Sequence, residues 1–143
     1  MLISTKGRYA LRVMVDLAEH QGEGYIPLKE IAERQGISEK YLETVLKSLV
    51  RGGLLQGLRG KGGGYKLTRS PEKYSVGEIL HLSEESLAPV SCLEIGADSC
   101  VRSAECRTLP MWQKLNTLVE DFFTSIYLSD LMGPDEPGND YVI

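Results

Sequence analysis

The stretch Ser38-Glu39-Lys40-Tyr41-Leu42-Glu43-Thr44-Val45-Leu46-Lys47-Ser48-Leu49-Val50-Arg51-Gly52-Gly53, continued by Leu54-Leu55-Gln56-Gly57-Leu58-Arg59-Gly60-Lys61-Gly62-Gly63-Gly64-Tyr65-Lys66-Leu67, decides the fold. Its first half has the marks of a helix. Ser38 is placed to cap it, because a serine hydroxyl accepts an orphan amide of the first turn. Gly52-Gly53 can end it, because glycine tolerates the left-handed conformation. Leu42, Val45, Leu46 and Leu49 recur at helical spacing and predict one buried stripe. Lys40, Tyr41, Glu43, Thr44, Lys47 and Arg51 fall on the other face and offer donors, an acceptor and cations. The second half is two short apolar runs around a basic, glycine-rich turn, the pattern of a hairpin. A polar-faced helix followed by such a hairpin is the layout of a winged helix-turn-helix, with the helix for a major groove and the wing for the backbone or minor groove.

Upstream, Ser4 or Thr5 can cap a first helix running to about His20, with Tyr9, Ala10, Val13, Met14, Leu17 and Ala18 as its apolar face. Pro27 opens a short second helix whose Leu28, Ile31 and Ala32 share a face, and Gly36 is the turn into the third. Helix, tight glycine turn, helix is the helix-turn-helix order. Downstream, Ser75-Val76-Gly77-Glu78 has capping-box spacing at the head of a fourth helix. His20 and His81 are expected as surface helix histidines. A fifth helix from about Leu109 to Ser125 carries Met111, Trp112, Leu115, Leu118, Val119, Phe122 and Ile126. That is more apolar surface than a small winged domain covers, and a second protomer would cover it; packing against its own domain is the alternative.

The expected fold class is therefore mainly α with a small β wing. It comprises a winged helix-turn-helix DNA-binding domain over residues 1–85, a cysteine loop over 86–108, a dimerisation helix region over 109–132 and a polar tail over 133–143. The tail ends in Tyr141-Val142-Ile143, apolar enough to dock.

Net charge is −4, which at first argues against a polyanionic partner. Its distribution argues for one. Lys40 to Lys73 holds eight basic and two acidic residues, whereas Tyr74 to Ile143 holds three basic and twelve acidic. A basic segment can bind phosphates while an acidic half faces away; a merely solvated face is the plainer alternative. No apolar run is long enough to cross a bilayer and the N-terminus lacks a signal-peptide pattern, so a cytoplasmic protein is expected. No nucleotide-binding glycine motif follows a strand, and no nucleophile stands with a base and an orienting acid, so an enzyme is not expected.

Three cysteines, an odd number without a secretory signal, point away from a disulfide framework. Their spacing is Cys92-x7-Cys100-x5-Cys106. Three thiolates in a short polar loop can converge on one centre, with gaps longer than the two-residue pairs of zinc fingers. Wider gaps suit an iron–sulfur cluster. Free cysteines without metal and a thiol–disulfide switch are the alternatives. With three cysteines, the fourth ligand must be another residue, a group from a partner chain or a small molecule.

Ser4-Thr5-Lys6-Gly7-Arg8-Tyr9-Ala10, Ile31-Ala32-Glu33-Arg34-Gln35-Gly36-Ile37-Ser38, Tyr41-Leu42-Glu43, Arg59-Gly60, Gly62-Gly63-Gly64-Tyr65, Val76-Gly77-Glu78-Ile79 and the cysteine loop ahead of Trp112 together resemble the winged-helix family of bacterial regulators that includes IscR, NsrR, RirA and CymR. The resemblance covers nearly the whole chain apart from the tail. It implies a homodimeric transcription factor that binds double-stranded operator DNA. In the cluster-binding members, cluster state controls promoter choice. Carried over, the ligands are Cys92, Cys100 and Cys106, with 2Fe–2S ahead of 4Fe–4S. The IscR pattern has a histidine three residues after the last cysteine, where this chain has Leu109. The NsrR pattern has an N-terminal aspartate, where this chain has Arg8. Glu105, Asp98, Glu94 or a partner's group remain for the fourth position. A cluster-free, CymR-like regulator working through a thiol switch or small ligand is the second reading, and an iron–sulfur electron carrier the third.

The same resemblance places Lys40, Tyr41 and Glu43 at base edges and Arg59 in the minor groove, with Thr44, Lys47 and Lys61 beside them. The chemistry agrees. A carboxylate such as Glu43 only accepts, and a cytosine amino group is its natural partner. Arg59 on a glycine-flanked turn can enter a narrow minor groove. The alternative for Glu43 is an i,i+4 salt bridge with Lys47.

Overall fold

A computed structural model describes residues 2–133 apart from 85, 99 and 101. The expected tail, with its Tyr141-Val142-Ile143 end, lies outside the described residues save for Gly133. Among the described residues, six α-helices and one hairpin follow in the order α1 (Thr5–Glu19), α2 (Leu28–Gln35), α3 (Glu39–Arg51), β1 (Leu55–Leu58), β2 (Gly64–Leu67), α4 (Val76–Ser83), α5 (Leu109–Ser125) and α6 (Leu128–Leu131).

The helix ends have the chemistry their residues call for. Ser4, Ser38 and Ser75 cap α1, α3 and α4, each hydroxyl accepting from the amide three residues on. At the end of α3, Gly53 takes the left-handed conformation with φ 79°. Its amide donates to the Val50 carbonyl, and the Leu54 amide reaches back to Leu49, which closes a Schellman turn. The box expected at Ser75 is only half formed. The Glu78 carboxylate instead takes two bonds from Arg69, at 2.8 and 2.9 Å, because a forked guanidinium outbids a single backbone amide for an ionised acceptor.

The predicted stripe of α3 is the centre of the core. Leu42, Leu46 and Leu49 are fully buried against Ala10, Val13, Met14 and Leu17 of α1 and Ile31 of α2. Each such leucine contributes about 1.5–3 kcal/mol through removal from water. Gly36, with φ 65°, makes the turn that sets α2 across α3.

One polar network, not anticipated from sequence, ties α2 to α1. Asp16 is 1 % exposed. It accepts from Arg34 at 2.7 and 3.0 Å and from Gln35 at 2.8 Å. Removing Arg34 strands a buried carboxylate. Arg34→Ala is therefore expected to lower stability by about 3 kcal/mol, the lower end of the cost of breaking a buried pair, because Gln35 stays and Arg34 is itself partly solvated. Urea titration of the two proteins checks this; a loss below about 1 kcal/mol, the scale of a surface pair, would place the network outside the stabilising core.

After α5 the chain turns back onto the domain. Leu128 of the short α6 is fully buried in the main core. Its amide donates to the Tyr74 carbonyl at 2.8 Å, and Val76 donates to the Ile126 carbonyl at 2.8 Å. The apolar residues of α5, with Ile126 that follows it, divide in two. Ile126 is half-buried and packs with Phe123 against Val76, Leu80 and Leu87. Met111, Leu115, Leu118 and Phe122 face outward, at 54, 37, 63 and 53 % exposure. The seven-residue stripe expected for this helix is thus two faces, one of which its own domain leaves uncovered. His81 and His20 sit on the surface as expected, His81 against Glu120 at 2.9 Å and His20 against the Asp16 carbonyl at 2.8 Å.

Candidate functional site

Two regions collect the residues singled out from the sequence. The first is the outer face of α3 with the wing. Burial of Leu42, Val45, Leu46 and Leu49 fixes the rotation of α3, and so Lys40, Tyr41, Glu43, Thr44 and Lys47 all stand exposed. Tyr41 is steadied from behind by the edge-on ring of Tyr9, with centroids 5.7 Å apart, and Arg12 lies 5.0 Å over that Tyr9 ring. Thr44 donates to the Lys40 carbonyl at 3.3 Å. Glu43 and Lys47 do form the i,i+4 pair, at 3.5 Å. Both are more than half exposed, so the pair is worth only about 0.3–0.5 kcal/mol and yields readily to a better partner.

In the wing, β1 and β2 pair antiparallel from Leu55↔Leu67 to Leu58↔Gly64. Arg59 and Lys61 are exposed on the turn between them, where Gly60 and Gly62 have φ 90° and 76°. A third segment joins the hairpin: Ile26 and Tyr65 exchange two backbone bonds of 2.9 Å. Gly64 is required there, since a Cβ would fall 2.1 Å from the Ile26 carbonyl oxygen. A groove runs between α3 and the wing, bordered by Glu43, Lys47 and Arg51 on one side and Leu58 and Arg59 on the other. Tyr65 also lines it. Partial burial and then the nearby Glu43 charge push its phenol above the ordinary range, against an opposing pull from Arg59. From the sequence Tyr65 figures only as the end of the run Gly62-Gly63-Gly64-Tyr65, with no role assigned. Its place directly after Gly62-Gly63-Gly64, at the foot of the wing turn, is the sequence feature that could have marked it.

The second region is the cysteine loop. Cys92 and Cys100 are exposed and Cys106 half-buried, all three as free thiols. They line one cavity of about 220 Å³, together with Asp98, Leu109 and Gln113. Among the described residues, no three side chains of His, Cys, Asp and Glu stand close enough to hold a single metal ion. Of the other acidic candidates, neither Glu94 nor Glu105 borders this cavity. Cys106 is set just ahead of α5. A bond with the Thr108 hydroxyl, at 3.5 Å, and then the backbone amides of Thr108 and Leu109, hold its thiol below the ordinary range. Such placement at a helix N-terminus favours thiolate, the form that acts as ligand and nucleophile.

The model of the Rrf2 family, described as an iron-dependent transcriptional regulator, matches residues 3–134. The chain belongs to the Rrf2 family. The HTH-type transcriptional regulator IscR of Aliivibrio salmonicida is 38% identical over 136 residues, which are 95% of this chain and 80% of that one. The solved structure of T. potens IscR is 40% identical with a TM-score of 0.70, covering 92% of this chain and 85% of the other. That of CymR (YrzC), the global cysteine regulator of B. subtilis, is 36% identical with a TM-score of 0.72, covering 92% and 95%. This Rrf2 protein is a DNA-binding transcriptional regulator with a winged helix, and not an enzyme. No helix among its described residues is long and apolar enough to cross a membrane.

Proposed function

We propose that this Rrf2 protein is a homodimeric operator-binding regulator whose DNA affinity is set by an iron–sulfur cluster on Cys92, Cys100 and Cys106. The observation that carries this reading is the single cavity shared by the three thiols, directly ahead of a helix with an uncovered apolar face. The donor set fits the group: thiolates are the usual ligands of such clusters, and Cys106 is already biased toward thiolate. When bound, an iron–sulfur cluster supplies a centre that oxidants, nitric oxide or iron shortage can alter or remove. The 2Fe–2S form, with two irons, needs one non-cysteine ligand here. The loop joins α4 of the DNA-binding unit to α5, so a change in its folding can alter how two recognition helices are spaced.

In this reading Lys40, Tyr41, Glu43, Thr44 and Lys47 enter the major groove on α3, with Glu43 selecting for a cytosine amino group at the cost of affinity elsewhere. Arg59 and Lys61 carry the wing to the minor groove and phosphates. The test is titration of anaerobically prepared protein onto its own promoter DNA at fixed salt, with and without cluster. Arg59→Ala is expected to weaken binding by about 1–3 kcal/mol, as for other base-level contacts. Unchanged affinity removes Arg59 from the interface, and equal affinity of loaded and cluster-free protein overturns the coupling. A thiol–disulfide switch without cluster is the second reading, favoured by the exposure of Cys92 and Cys100 and by the structural likeness to CymR.

A further inference from the structure

We propose that Asp98 is the fourth ligand of the cluster held by Cys92, Cys100 and Cys106; this rests on the iron–sulfur reading above. The position that would carry a histidine in the IscR pattern is Leu109, which lines the cavity and has no side-chain donor atom. Among the described residues that line that cavity, three other than cysteine have oxygen or nitrogen in their side chains: Asp98, Ser103 and Gln113. Their chemistry separates them. A serine hydroxyl must give up a proton it holds tightly, and a glutamine amide is a neutral, weak donor. An aspartate carboxylate is acceptor-only when ionised and binds iron without losing a proton, whereas each cysteine thiol releases one. Asp98 therefore completes the ligand set with one anionic oxygen.

Sequence position agrees. Asp98 stands two residues ahead of Cys100, so the two side chains leave the same short piece of loop. Gly96, with φ 79°, turns the chain just before it. Glu94 and Glu105 are also acidic and within the loop, but they do not border the cavity. The consequence is a centre with one oxygen-ligated corner. Oxygen is a harder ligand than thiolate and is exchanged more easily from iron in contact with sulfide and thiols. That corner is where an attacking small molecule gains access first, which suits a regulator better than an electron carrier.

The experiment is anaerobic reconstitution with iron-57 and sulfide of the native chain and of the variants Asp98→Ala, Asp98→Cys, Glu94→Ala, Glu105→Ala and Gln113→Ala, read by Mössbauer and visible absorption spectra. The native protein is expected to show one iron in a mixed sulfur and oxygen environment. Asp98→Cys is expected to convert that iron to an all-sulfur environment. Asp98→Ala is expected to lose the native iron signature. The other three variants are expected to keep it. An Asp98→Cys spectrum identical to the native one overturns the proposal, even if Asp98→Ala takes up no iron for reasons of folding. So does loss of the native signature in Gln113→Ala alone. A native chain that binds no cluster overturns the iron–sulfur reading and this inference with it. A native cluster indifferent to Asp98 overturns this inference only.

Discussion

Replacing Cys92, Cys100 or Cys106 by alanine, one at a time, is expected to abolish or sharply reduce the visible charge-transfer absorption that the native chain acquires on anaerobic incubation with iron and sulfide. All three should matter, because all three line the same cavity and the chain has no fourth cysteine to substitute. The loss should not track with unfolding. The loop contributes little to the core, and Cys92 and Cys100 are exposed; surface changes of this kind cost at most about 0.5 kcal/mol. Circular dichroism of the variants should therefore match the native chain while their absorption does not. Leu109→His gives the converse experiment. Leu109 already lines the cavity, so an imidazole there should retard loss of the cluster in air. A native chain that takes up zinc alone, or no metal, would sink the cluster reading and leave the thiol switch.

The double change Leu115→Glu, Leu118→Glu is expected to convert a dimer to monomers. Both side chains belong to the outward row Met111, Leu115, Leu118 and Phe122, a contiguous apolar strip with no cover from its own domain. Pairing that strip with its two-fold mate would bury four added carboxylates per dimer. Each unpaired buried charge costs several kcal/mol, and every 1.4 kcal/mol is tenfold in dissociation constant. The dimer should weaken by at least about 100-fold on that scale. The fold of each protomer should survive, since both positions are exposed within it. Sedimentation at micromolar concentration reads the result directly, and an unchanged dimer would mean that α5 is not the interface.

What was legible in the sequence is what local periodicity and local chemistry can specify. Leu42, Val45, Leu46 and Leu49 share a face at 3.6-residue spacing whatever surrounds them, so the outward set from Lys40 to Lys47 followed at once. The serine caps, the glycine stop and the glycine-rich hairpin are decided within a few residues of chain. So was the presence of three thiols in one polar loop. Tertiary structure decided the rest, because it depends on which distant segments arrive as neighbours. Periodicity marks seven apolar residues from Met111 to Ile126 but cannot say which side the domain covers. That was set by Val76, Leu80 and Leu87 packing on Phe123 and Ile126. The pairing of Asp16 with Arg34 spans eighteen residues and two helices, and neither residue is distinctive alone. Tyr65 stands in the α3–wing groove through its pairing with Gly57 in the hairpin and with Ile26 across the fold. Among the acidic residues of the cysteine loop, spacing treats Glu94, Asp98 and Glu105 alike. Only the folded loop brings one of them, Asp98, to the cavity of the three cysteines, because which side chains border a shared space depends on the path of the whole loop rather than on their separation along the chain.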